Sequence, residues 1–141
     1  MSVPTVLLPV FVLIGLTFSL LLWMALARRN TLVSKETRVR DIVLGQPNWP
    51  VRATQFAYAF SNQFELPVLF YVLTILAIIT HHADIVFLVL AWIFVIPRIM
   101  QAYVHVTNNN VRWRGSFYGV GALVLLAMWI IFIVRILAGL P

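Results

Sequence analysis

The chain has 141 residues, of which 62% are hydrophobic and 10% charged, and a mean hydropathy of +0.99. A soluble core cannot absorb that much apolar surface in so short a chain, so the solvent for most of it is lipid, and there is no room for a second domain. The net charge of +6 is not carried on a basic, aromatic-interleaved soluble surface, which argues against nucleic acid, and the lack of cysteine removes disulfides, thiolate metal sites and cysteine catalysis.

Hydropathy predicts an all-α integral membrane fold, a single domain with four transmembrane helices. The spans fall at about 6–27, 53–80, 85–106 and 117–137, each near the roughly 20 residues that a helix needs to cross the hydrocarbon. The alternation expected of transmembrane strands is missing. In the first span, Ala25–Leu26–Ala27 resembles a signal-peptidase site. No Lys or Arg precedes the apolar run, however, and Arg28 and Arg29 follow it, so the segment reads as an anchor with its N-terminus outside. The loop after it carries Arg28, Arg29, Lys35, Arg38, Arg40 and Arg52 against Glu36 and Asp41, with turn chemistry at Gly45–Pro50. The loop between the second and third spans, His81–Asp84, has no Lys or Arg, and the next carries Arg112 and Arg114. The positive-inside rule then places both termini outside and the first and third loops in the cytoplasm, facing anionic lipid.

Polar residues inside the spans carry the functional signal. Glu65 lies sixteen residues before His81, and Arg98 lies fourteen after Asp84. At roughly 1.5 Å per residue, these are about 24 Å and 21 Å from the outer end. In a core about 30 Å thick both then sit in the cytoplasmic leaflet, level with the start of the fourth span. Helical spacing gathers Gln55, Tyr58, Asn62 and Glu65 into one stripe, Arg98, Gln101 and His105 into a second, and Arg114 and Tyr118 into a third. Three such stripes should face one another, or a neighbouring subunit, around a polar cavity open to the cytoplasm. A Glu65–Arg98 ion pair fixing helix register is the simplest role for the two charges. That pairing leaves Asn62, Gln101, His105, Arg114 and Tyr118 for a small polar anion.

Other features read as structural. His105 alone reads as a hydrogen-bonding interface residue, and the adjacent His81 and His82 do not face one metal easily. Gly115 and Gly119 form a GxxxG which, with Ala122, offers a small-residue face for close helix packing. Trp49 and Trp113 fit an interfacial belt.

The combination of "NQFELP" in the second span, "RIMQAYVH" in the third and "RGSFY" opening the fourth resembles the MAPEG family, small four-helix membrane proteins of eicosanoid and glutathione metabolism. The match is carried by Asn62, Glu65 and Pro67, by Arg98, and by Arg114 with Tyr118. Gln101 replaces a usual histidine, and His105 stands where the family has tyrosine. The resemblance, to bacterial-type members, implies a homotrimer in the bacterial inner membrane. It implies glutathione bound between subunits by Arg28, Asn62, Glu65, Arg98, Gln101, His105 and Tyr118. Arg114 would activate the thiol, because a nearby cation stabilises a thiolate. A lipophilic small-molecule substrate would arrive through membrane lipid. Glutathione-using members carry arginine where this chain has Tyr58, and Ser61 stands just before the motif asparagine. Two readings follow: a glutathione-dependent transferase or peroxidase acting on lipophilic electrophiles or hydroperoxides, or a non-catalytic membrane scaffold or subunit binding lipid or a larger complex. Four spans without an internal repeat argue against alternating-access transport.

Overall fold

The computed structural model describes residues 2–35, 38–44, 49–108 and 110–140, and only the backbone of Asp41 and Val111. Most of the turn expected at Gly45–Pro50, and Glu36, lie outside the described residues. The elements are α1 (Val3–Val33), α2 (Val39–Ile42), α3 (Val51–Asn62), α4 (Leu66–Ile79), α5 (Ile85–Val106) and α6 (Val111–Leu137). Four stretches are long and apolar enough to cross a membrane: α1, α3 with α4, α5, and α6. The chain is therefore an all-helical integral membrane protein. Both ends of the described chain lie with the α4–α5 turn at one end of the bundle. The α1–α3 connection and the α5–α6 loop lie at the other, called here the loop end.

Local chemistry sets the helix limits. α1 runs six residues past its apolar stretch, because Arg28, Arg29 and Asn30 continue the backbone hydrogen bonding into the headgroup region. The Asp84 side chain caps α5 by accepting from the Phe87 amide at 3.0 Å. Asn110 caps α6 by accepting from the amides of Arg112 (3.0 Å) and Trp113 (3.4 Å).

The second span, expected as one helix, is broken. Pro67 has no N–H to donate, and its ring clashes with the carbonyl four residues back. The chain tightens into i→i−3 bonds, from Gln63 N to Phe60 O, Phe64 N to Ser61 O and Glu65 N to Asn62 O (3.0, 3.0 and 3.3 Å). It resumes as α4 at Leu66.

The break divides the apolar core. Near the α4–α5 turn, α5 packs with α1, α4 and α6 through Leu13, Phe70, Leu73, Ala91, Phe94 and Leu125. Phe70 and Phe94 stack there with centroids 5.0 Å apart. Near the loop end, Leu20, Phe56, Ala59, Ala102 and Val106 join α1, α3 and α5. Between the two clusters lie Gln63, Arg98 and Gln101, all buried. Much of the outer apolar surface stays exposed, as expected of helices that face lipid or another subunit.

Candidate polar cavity at the loop end

Arg98 is the buried residue around which the site is organised. Its side chain leaves α5 with 1% of its surface exposed. Nη2 donates to the Asn62 carbonyl at 2.9 Å, and Nη1 donates to Gln101 Oε1 at 2.8 Å. The first bond adds a charged donor to a carbonyl at the broken end of α3 that also accepts from the Glu65 amide. Charge-assisted bonds of this kind are the stronger sort. The expected Glu65–Arg98 ion pair is absent: among the described residues the ion pair within 4.0 Å joins Arg135 to Asp84. The reason is the break itself. It presents a backbone acceptor to the guanidinium, while Glu65, at the end of the turn, is exposed and accepts from the Tyr118 hydroxyl at 3.4 Å.

Beside Arg98 lies a cavity of about 380 Å³, lined by Tyr58, Ser61, Asn62, Glu65, Gln101, His105, Arg114, Gly115 and Tyr118. Its size falls within the usual range for small-molecule pockets. The three polar stripes supply its walls: α3 and the break on one side, α5 and α6 on the others. Arg98 takes the oxygen of the Gln101 amide. The amide nitrogen is then the end of that side chain left to donate to a ligand. His105 is 4% exposed, its ring 6.3 Å from that of Tyr58 between centroids, and neither ring nitrogen has a hydrogen-bond partner. A buried polar group in that state is costly, and a ligand in the cavity could relieve it. The Arg98 guanidinium also lies 5.8 Å from the Tyr118 ring centroid.

Two expected members stand apart. Arg28 lies over the Trp49 ring, 4.9 Å from its centroid, and does not line the cavity in one chain. Gln55, grouped with the first stripe, instead donates to the Thr107 carbonyl at 3.4 Å. Sequence spacing overlooked Ser61, although positions 58, 61, 62 and 65 follow helical i, i+3, i+4 spacing and could have revealed it. It also overlooked Gly115 as a wall residue. The small-residue face behaves differently from expectation. A Cβ on Gly115 or Gly119 would meet nothing within 4 Å, so these glycines leave space instead of drawing helices together within the chain. The close approach is at Gly121, where a Cβ would lie 3.7 Å from Arg98 Cδ and from Phe94.

At the other end, His82 Nε2 lies 2.9 Å from the Leu140 carbonyl and Asp84 pairs with Arg135 at 2.8 Å. No group of three or more metal-ligating side chains gathers among the described residues.

The model of the MAPEG family matches residues 6–134. No curated protein and no solved structure matches the chain.

Proposed function

The chain belongs to the MAPEG family, and we propose that its loop-end cavity binds glutathione for reaction with lipophilic electrophiles or hydroperoxides. The family includes glutathione-dependent transferases and peroxidases as well as non-catalytic members. The observation that carries the reading is the polar cavity of about 380 Å³ that contains a buried histidine ring with two unpartnered nitrogens.

The donor set fits a small peptide with both carboxylates and an ammonium. Arg114 is the cation for a carboxylate or for the sulfur. Asn62, Gln101 and the His105 ring offer hydrogen bonds to amides and carboxylates, and Glu65 offers an acceptor for the ammonium. When bound, glutathione supplies a thiol that adds to an electrophilic carbon or displaces halide from one, its proton leaving with the halide, or, with a second thiol, reduces a hydroperoxide to alcohol and water with formation of the disulfide. Arg114 would favour the ionised thiol by placing positive charge beside it. An apolar partner would reach the cavity through the bilayer. A homotrimer belongs to this reading. Arg28, which is away from the cavity in one chain, would reach a cavity only as a neighbour's contribution. The positive-inside rule supports a cytoplasmic-side cavity, next to the basic loops.

One observation favours a non-catalytic scaffold. Arg114 is the one cation in the cavity wall among the described residues, while Tyr58 and Ser61 are neutral. Two carboxylates on one arginine bind weakly. Glutathione titrated into detergent-solubilised protein separates the readings. At ten times its dissociation constant a ligand specific for the folded state adds about 1.4 kcal/mol, a melting shift of a few degrees. No shift at millimolar glutathione sinks the enzyme reading. With a shift in hand, Arg114→Ala should abolish turnover of a model aryl halide and leave the oligomer intact.

A further inference from the structure

A second cavity, of about 500 Å³, lies between α1, α3 and α5, away from the polar site. Its walls are mainly apolar. Leu16, Leu20 and Trp23 lie on one face of α1, Phe56 comes from α3 and Ile99 from α5, and Arg52 closes its loop-side end. The arrangement is ordered along the membrane normal. Arg52 is the second residue of the span Val51–Ile79, where the end of a membrane-crossing helix meets headgroups, whereas Leu16 and Ile99 lie farther from the ends of their helices.

Arg52 is held in place by two contacts. Nη1 donates to the Val106 carbonyl at the end of α5, and the guanidinium stacks on Phe56 at 4.7 Å from the ring centroid. The first contact caps the negative end of the α5 dipole. It uses one nitrogen; Nε and Nη2 have no protein acceptor among the described residues. A guanidinium fixed by its neighbours, with donors left over, sits above an apolar trough. That geometry fits an amphiphile with an anionic head at the surface and a hydrocarbon tail running inward.

We infer that this groove is a site for an anionic glycerophospholipid, with its phosphate on Arg52 and one acyl chain along Leu16, Leu20, Phe56 and Ile99. The ligand class follows from the order of groups: charge at the headgroup level and hydrocarbon toward the bilayer centre. A soluble anion has no use for the trough, and a neutral apolar molecule has none for the arginine. The inference stands whether or not the polar cavity binds glutathione.

The test uses the full chain in detergent, stripped of lipid and titrated with dioleoylphosphatidylglycerol or dioleoylphosphatidylcholine. Native mass spectrometry reads bound lipid per chain and oligomer mass in one spectrum. The expected result is one phosphatidylglycerol per chain, retained about fivefold better than phosphatidylcholine, the effect of one basic residue on an anionic lipid. Arg52→Gln keeps a donor for the Val106 carbonyl and should bring phosphatidylglycerol down to the phosphatidylcholine level. Ile99 is 38% exposed, so Ile99→Trp can fill the trough from its lipid side and should reduce both lipids at unchanged oligomer mass. Three results would overturn the site: equal phosphatidylglycerol retention by wild type and both variants, displacement of the lipid by millimolar inorganic phosphate alone, or loss of the oligomer in Ile99→Trp with lipid retention unchanged, which would make the groove an interface between copies. The two variants alter different atoms, so misfolding of one leaves the other to decide.

Discussion

The two ends of the α5–α6 hairpin satisfy their polar groups in opposite ways. At the α4–α5 turn, Asp84 caps α5 and pairs with Arg135, and His82 meets the Leu140 carbonyl. These groups are partly exposed and matched to one another. At the loop end, polar groups are carried into the interior: Arg98, Gln101 and His105 are all buried, and His105 has no hydrogen-bond partner at either nitrogen. Both ends hold unpartnered polar atoms, Nδ1 of His82 and Nε1 of Trp129 near the turn, but at the loop end a whole imidazole ring is buried without a partner beside a polar cavity. Surplus capacity of that sort is expensive in a low dielectric, so it marks the end at which a ligand would be recognised.

The strongest challenge to this contrast is Arg98→Ala. It strips donors from Asn62 O and Gln101 Oε1, and at about 1.5 kcal/mol for each hydrogen bond from a charged donor the loss is about 3 kcal/mol. The melting temperature in detergent should fall by more than for any change at the α4–α5 turn. Arg98→Lys should recover only part of it, because an ammonium lacks the planar fork that reaches two separated acceptors. An unaltered melting temperature in Arg98→Ala would mean that the guanidinium is not what holds the break.

His105→Leu tests the surplus directly. Removing an unpartnered ring from a buried site should raise the melting temperature, by the equivalent of about 1–2 kcal/mol. The same variant should lose the glutathione response if the ring serves a ligand. A fall in melting temperature would show that the histidine is a satisfied structural residue, and the contrast between the ends would disappear.

The smallest effects are expected where the partners are exposed. Asp84→Ala should cost about 1 kcal/mol, mainly through the lost cap. Asp84→Asn keeps the cap and loses the charge, so it should cost less than about 1 kcal/mol, the range of exposed ion pairs. Partial burial pushes the Asp84 carboxyl up, but the hydrogen bond from Arg135 and the Phe87 amide outweigh it and hold the group below its ordinary value of 3.8. The sign follows by linkage. With its folded value lowered, Asp84 contributes in full above the unfolded value and loses that contribution as pH falls through the folded one. Melting curves recorded downward from pH 5 should therefore show a loss below about pH 4 that is smaller in Asp84→Asn. An identical pH profile in the two proteins would mean that the Asp84 charge does not stabilise the turn end.

Much of the loop end was legible from residue spacing. Asn62 and Glu65, Gln101 and His105, and Arg114 and Tyr118 fall at three- and four-residue intervals, and a helix must carry such residues on one face. Four apolar runs in a chain without room for a soluble core required four membrane helices. The partner of Arg98 was not legible. Charge alone pointed to Glu65, whereas the acceptors are Gln101 and the Asn62 backbone carbonyl at the helix break. The glycine pair of α6 was misleading for a similar reason, since GxxxG spacing says that a helix face is small but not what lies against it.

Composition and periodicity by themselves determined that this chain is a bundle of four membrane helices with polar stripes on three of them, because lipid forces backbone bonding inside each segment and helical pitch dictates which residues share a face. The tertiary structure alone decided what those stripes do: that a helix break hands a carbonyl to Arg98, that His105 is buried without a partner, and that Arg28 stands away from the cavity. Those outcomes depend on how helices distant in sequence are placed to within a hydrogen-bond length, and a one-dimensional pattern does not contain that distance.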